Sequence, residues 1–331
     1  MNKLLDLQGK KIVVTGAGGY IGSALINELV KHSCDLIAIS RHNLISCDHV
    51  HSMRGDLCDP QFWGSIVYEA DIIFHLAGNT SLAEASSNPV GSINSTITPI
   101  GLLVQAASMQ RKKPRVVFTS TATVYGLLNE LPVTEDAEPK PVTNYDLHKL
   151  FAEEYLKFAS NQGFIEGISL RLSNVYGPSL SPSTSIDRGI INKVSANSIR
   201  GEKLLIFGDG NYLRDYVHIN DVVDALILAG ITPGLVGESF NIASGVGLTV
   251  KNAFELIANK AEKLTGRVVK IEFDNWPIGS DPIEKRNFVA DINKYTVKTG
   301  WIPKVKFDEG IDSLLDNFLS SNHEKNMPKK T

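Results

Sequence analysis

Short, unbroken apolar runs alternate with longer amphipathic stretches through the first half of the chain. The runs are Lys11-Ile12-Val13-Val14, Leu36-Ile37-Ala38-Ile39, Asp71-Ile72-Ile73-Phe74, Arg115-Val116-Val117-Phe118 and Gly167-Ile168-Ser169-Leu170. They are rich in β-branched residues and lack the polar alternation of a half-solvated strand, so they suit a parallel sheet covered on both faces. Between them, residues 21–32, 99–110 and 145–161 have the length and spacing of helices. Strand and helix in alternation predict an α/β fold, a doubly wound parallel sheet. After Gly177-Pro178 the pattern loosens into a Ser/Pro-rich stretch, 179–185, expected to open a smaller lobe over the sheet. The predicted division is a dinucleotide-binding domain over 1–176 and a mainly substrate-binding lobe over 177–331, with 213–245 returning to the first. The cleft shape that selects a substrate is expected to come from 179–205. The tail from 320 to 331 is polar and is expected to fray.

Composition narrows the class. The 331 residues are 43% hydrophobic and 21% charged, with a formal net charge of -3. That is ordinary globular composition without the basic excess a nucleic-acid partner needs. No run of about twenty apolar residues is present, so neither a membrane span nor a secretory leader is predicted. Cys34, Cys47 and Cys58 are odd in number and lack metal-ligand spacing, which points to reduced thiols in the cytoplasm and to no metal. His75 at a strand end has no second ligand spaced for zinc, and a structural role is expected for it.

Thr15-Gly16-Ala17-Gly18-Gly19-Tyr20-Ile21-Gly22 directly follows the first run and leads into a helix. Glycine is needed here for a tight turn, for close approach to a pyrophosphate and for close helix–strand packing. The helix N-terminus then offers free N–H groups and positive potential to phosphates. Gly16, Gly19, Tyr20, Ile21 and Gly22 are therefore candidate cofactor-binding residues. At the end of the second run stand Ser40 and Arg41, 24 and 25 positions past Gly16. A carboxylate there would favour NAD, whereas a hydroxyl and a guanidinium suit a 2′-phosphate, so NADP is expected ahead of NAD.

Tyr145 and Lys149 are four apart, which on a helix places them on one face. A lysine ammonium beside a phenol stabilises phenolate and prepares it for acid/base work. Taken in order, the segments 15–22, Gly55-Asp56-Leu57, His75-Leu76-Ala77-Gly78, 120–126, 145–149, Arg171-Leu172-Ser173-Asn174-Val175-Tyr176-Gly177-Pro178 and Arg214-Asp215-Tyr216-Val217-His218 resemble the nucleotide-sugar epimerase/dehydratase family of extended short-chain dehydrogenase/reductases. The resemblance covers roughly residues 10–318. It implies Asp56 and Leu57 at the adenine, and Leu76, Ala77 and Gly78 along the cofactor. It also implies a catalytic trio of Thr121, Tyr145 and Lys149, with Tyr145 and Lys149 also touching the cofactor. On the substrate side it implies Thr123 and Asn174 near the sugar, and Arg214 and Arg286 on the diphosphate. Read without the family, Arg214 beside Asp215 is equally a surface ion pair. The family's asparagine falls on Thr96, with Asn94 two residues earlier.

Dehydratases of the family carry acids just after the Thr121 position, and this chain has Ala122 and Thr123 there. The resemblance therefore implies epimerisation, at C4 through a transient 4-keto-sugar. The alternatives are an NADPH-dependent reductase of nucleotide 4-keto-sugars and a catalytically silent dinucleotide-binding protein. A homodimer is implied through the helices at 99–110 and 145–161, with Phe151, Tyr155 and Phe158 as an apolar contact. No nucleic-acid or membrane partner is expected.

Overall fold

A computed structural model describes residues 7–41, 47, 49–128, 130–180 and 189–326. In chain order the first half contains β1 (Lys11–Thr15), α1 (Tyr20–Leu29), β2 (Asp35–Ser40), β3 (Val50–Arg54), α2 (Pro60–Val67), β4 (Ile72–His75), α3 (Leu82–Ser87), α4 (Pro89–Ser108), β5 (Arg115–Thr121), α5 (Asn144–Asn161) and β6 (Glu166–Leu172). The second half contains β7 (Asn174–Tyr176), α6 (Ile190–Arg200), β8 (Leu204–Phe207), β9 (Leu213–His218), α7 (Ile219–Ile231), β10 (Ser239–Ile242), β11 (Gly247–Thr249), α8 (Val250–Thr265), β12 (Ile271–Asp274), α9 (Asn293–Thr299) and α10 (Phe307–Asn326).

Seven strands form one parallel sheet in the order β10-β6-β5-β4-β1-β2-β3. The apolar runs are buried on both faces because each face carries its own helices. Ile12 and Val14 of β1 enter a core shared with α1 and α7, while Val13 enters the opposite core with α2, α4 and α5. The winding reverses between β1 and β4, which opens a crevice beyond the strand ends.

Three elements differ from the sequence pattern. β3 reads Val50-His51-Ser52-Met53-Arg54, an edge strand with no apolar run, and it pairs only with β2. The helix expected at 99–110 begins ten residues earlier, at Pro89, and carries Pro99 in its interior. Pro99 lacks an N–H, so the Ser95 carbonyl four residues back loses its helical donor. That carbonyl lies beside Gly78 at the crevice, 3.7 Å from where a Cβ on Gly78 would stand. At the other end of the chain, α10 continues the helix through Asn326 where fraying was expected from 320.

The remaining strands build a second layer of structure. β11-β9-β7 form one small sheet and β8 pairs with β12 in another. α6, α8 and α10 pack with them around Tyr176, Ile206, Tyr216, Phe254 and Leu314. α7 and β10, by contrast, lie in and against the large sheet. Tyr20 on α1 joins the two parts: its hydroxyl donates to the Gly177 carbonyl at 2.8 Å, and Asn192 on α6 donates to the same carbonyl at 2.8 Å. Of the Ser/Pro-rich stretch 179–185, residues 181–185 lie outside the described residues, as do 186–188 after it.

Candidate active site

The turn from β1 into α1 admits glycine alone at two points. Gly16 has φ +69°, and a Cβ there would stand 2.8 Å from the Ala77 backbone nitrogen. A Cβ on Gly22 would stand 2.2 Å from the Gly16 carbonyl oxygen, so α1 can approach β1 only without a side chain. Gly19 caps α1 with no side-chain hydrogen bond, leaving the first-turn N–H groups to the crevice.

A cavity of about 930 Å³ runs along this turn. Ser40, Arg41, Asp56 and Leu57 line it at one region; Leu76, Ala77 and Gly78 follow, then Thr121, Tyr145 and Lys149. Gly16, Gly19, Tyr20, Ile21 and Gly22 line it as well. Its volume, the glycine turn at a helix N-terminus and the absence of side chains at closest approach fit a dinucleotide. Sequence reasoning missed Ile39, Cys58, Thr80, Ser95, Ser120 and Ser173 on its wall. Ile39 and Ser120 each stand one residue before the end of a strand, β2 and β5, so strand ends were the available signal. Thr96 is buried inside α4 and does not line the cavity, whereas Asn94 and Ser95 do.

α5 starts at Asn144 with Thr143 as its cap, whose hydroxyl accepts from the Asp146 N–H at 3.2 Å. Tyr145 and Lys149 then face the cavity from successive turns. Lys149 is buried; its ammonium donates to the Thr119 carbonyl at 2.8 Å and stands 4.7 Å from the Phe118 ring centre. Burial lowers its pKa to about 8, opposed by the Glu153 carboxylate one turn on. Glu153 itself is held by Arg171 of β6 at 2.7 Å in a buried ion pair. Thr121 ends β5. Its hydroxyl is 2.9 Å from the Thr123 hydroxyl and accepts the Thr123 N–H at 3.2 Å.

His75 is buried and neutral: burial lowers its pKa to about 3, and its Nδ1 lies 2.9 Å from the Thr15 hydroxyl. Its ring sits between Trp63 and Phe118. His148 points away from the Tyr145 face and packs on α4, with Nδ1 2.9 Å from the Ser92 hydroxyl. No group of three or more His, Cys, Asp or Glu side chains gathers as a metal site among the described residues. The three cysteines are unpaired.

Thr123, Asn174, Arg214 and Arg286 do not line the cavity. Arg214 on β9 is buried, and its guanidinium donates to the carbonyls of Leu213, Glu284 and Arg286. Arg286 follows the short 3-10 turn Pro282–Lys285 and donates to the Ile283 carbonyl at 2.9 Å. Burial lowers the pKa of Arg286 to about 10, and Arg214 adds to that shift. Two cations are thus held together, Arg214 by three backbone carbonyls and Arg286 by one. The surface ion pair between Arg214 and Asp215 is not formed. Strand alternation turns Asp215 to the other side, where it accepts from the N–H groups of Ser244 at 2.7 Å and Gly245 at 3.0 Å. Asn174 lies on β7 opposite Tyr216 of β9.

The fold and the cavity define a Rossmann-type enzyme that works with a nicotinamide dinucleotide. Residues 12–243 match the model of the NAD dependent epimerase/dehydratase family, and the chain belongs to that family. It is 30% identical over 322 residues to a UDP-glucose 4-epimerase of Streptococcus mutans, covering 90% of this chain and 92% of that one. Among solved structures it resembles the UDP-glucose 4-epimerase of Thermotoga maritima with UDP-glucose, at 28% identity and a TM-score of 0.84, covering 94% and 99% of the two chains. MoeE5, solved with UDP-glucuronic acid and NAD, aligns at 26% identity and a TM-score of 0.82 over 94% and 99%. No helix among the described residues is long and apolar enough to cross a membrane.

Proposed function

We propose that the protein epimerises a nucleotide sugar at C4, with a uridine diphosphate sugar as the first candidate. The observation that carries this reading is the convergence of Thr121, Tyr145 and Lys149 on one cavity wall, with no acidic residue at 122 or 123. When bound, the nicotinamide supplies the reversible hydride acceptor that oxidation and re-reduction of one sugar carbon require. Tyr145 removes the hydroxyl proton and later returns it. Lys149 contributes a buried positive charge beside it, which favours the phenolate. Thr121, oriented by the Thr123 N–H, holds the sugar oxygen as it changes from hydroxyl to carbonyl. Arg214 and Arg286 anchor the diphosphate while the sugar presents its other face, with Asn174 assigned to the sugar side.

In this reading Gly16, Gly19, Tyr20, Ile21, Gly22, Asp56, Leu57, Leu76, Ala77 and Gly78 hold the cofactor. Tyr20 does so through its backbone, because its hydroxyl is committed to Gly177. Ser40 and the exposed Arg41 favour NADP over NAD. The exposed rings of Phe151 and Phe158, stacked on either side of Tyr155, support a homodimer across α4 and α5. A monomer in light scattering would refute that assembly. Unpaired Cys34, Cys47 and Cys58 fit a cytoplasmic setting.

Incubation with UDP-glucose and related nucleotide sugars, with no reductant added, tests the assignment. The expected outcome is interconversion of C4 epimers. Consumption of NADPH with a 4-keto-sugar and no epimerisation would favour the reductase instead.

A further inference from the structure

The Gly177 peptide, one residue past the end of β7, is gripped on both of its polar groups. Its N–H donates to the Asn192 side-chain oxygen at 3.1 Å, and its carbonyl accepts from the Asn192 amide at 2.8 Å and from the Tyr20 hydroxyl at 2.8 Å. The Asn192 amide also donates to the Tyr20 hydroxyl at 3.4 Å, which closes a triangle. Both side chains are buried, so no water replaces a bond that is lost. Gly177 itself admits no side chain: its φ is +130°, and a Cβ would stand 2.7 Å from Ile219 and 2.8 Å from the His218 ring. The three corners belong to different working parts. Tyr20 is the first residue of α1, whose N-terminal turn lines the cavity with Gly19 and Ile21. Gly177 follows β7, which carries Asn174 and pairs with β9, the strand of Arg214. Asn192 lies in the first turn of α6, just after Gly189 on the cavity wall.

We propose that Tyr20 is a positioning residue: its hydroxyl, through the Gly177 carbonyl and Asn192, sets the register of the substrate lobe on the turn that cradles the cofactor. The proposal rests on the nucleotide-sugar reading above. The cofactor residues sit on the large sheet, and the arginines of the diphosphate sit on and beside β9. Loosening the triangle therefore leaves each grip intact and changes only the spacing between the two bound molecules. Hydride transfer is the step that senses this spacing, since misplacement by about 1 Å can cost about a hundredfold in rate.

Plain stabilisation is the competing account, because any buried hydroxyl bonded to a carbonyl supports the fold. Tyr295 supplies the control: its hydroxyl donates to the Ala225 carbonyl at 2.6 Å, it is fully buried, and it does not line the cavity. The two accounts separate in steady-state kinetics on the full chain with its cofactor, using UDP-glucose or the related nucleotide sugar that the wild type interconverts. Tyr20→Phe removes only the hydroxyl. It should lower kcat about tenfold while KM and cofactor affinity stay within about twofold. Without substrate, amide hydrogen exchange at Gly177 and in the first turn of α6 should quicken in the same variant. Tyr295→Phe should lower the melting temperature and leave kcat and that exchange unchanged. Asn192→Ala cuts the triangle at another corner and should reproduce the kcat loss. An unchanged kcat or unchanged exchange in Tyr20→Phe overturns the proposal, and so does an equal fall of kcat in Tyr295→Phe. If Tyr20→Phe fails to fold, Asn192→Ala decides on the same terms. A wild type that interconverts no nucleotide sugar overturns the nucleotide-sugar reading itself, and this proposal with it.

Discussion

The two walls of the active site are built on opposite terms. The cofactor side is backbone brought so close that side chains are excluded: Gly16 against Ala77 and Gly22 against Gly16. The substrate side is a pair of largely desolvated guanidinium groups, Arg214 and Arg286, close enough to repel each other. The difference teaches where specificity resides. A close-packed turn can hold any dinucleotide of the right shape, whereas buried charges select their partner by charge and hydrogen bonding.

Substitutions on each wall and at the seam between them break or sharpen this contrast. The largest effect belongs to the seam. Tyr145→Phe should lower kcat by about 10³-fold while cofactor binding is retained, read by steady-state kinetics and cofactor titration. Next is Gly22→Ala on the packed wall, where a Cβ would stand 2.2 Å from the Gly16 oxygen. It should cost about 3 kcal/mol of stability and the cofactor with it, visible in thermal melts. On the charged wall, Arg214→Gln loses donors to the Glu284 and Arg286 carbonyls, so it should lower the melt less than Gly22→Ala does while keeping the cofactor, and raise KM by about 30-fold, the worth of one charged hydrogen-bonded contact. Loss of folding there and tolerance at Gly22 would reverse the comparison. Arg41→Asp is smaller still: NADP affinity should fall by about tenfold and NAD affinity should gain. An NADP affinity left unchanged would remove Arg41 from cofactor selection.

The smallest effect is in pH. Lys149 titrates at about 8 in the folded chain, below its ordinary 10.5. The unfolded chain therefore binds the extra proton between those values, so stability rises with pH across that window and the burial penalty is full below about 8. The charge that supports the Tyr145 phenolate disappears over the same range. kcat should fall above pH 8 as the melting temperature gains, and a kcat flat to pH 10 would contradict the role given to Lys149.

How far the sequence was legible follows the same division. Ile12, Val13 and Val14 announce a strand because both faces are buried, and Gly16 to Gly22 announce the cradle because only glycine fits. β3 escaped because an edge strand such as Val50-His51-Ser52-Met53-Arg54 needs no apolar run. α4 was cut short because Pro99 reads as a helix start, while tertiary packing on α2 and α5 carries the helix through it. Arg214 and Arg286 meet although 72 residues separate them, and no local spacing reports such a meeting.

The central claim is that one sugar carbon loses and regains the same hydrogen. Incubating the enzyme with UDP-glucose carrying deuterium at C4, in ordinary water, tests it most directly. The account predicts the C4 epimer with deuterium still at C4. Epimer formed with the label replaced by solvent hydrogen, or no interconversion of this or any other nucleotide sugar, would contradict it.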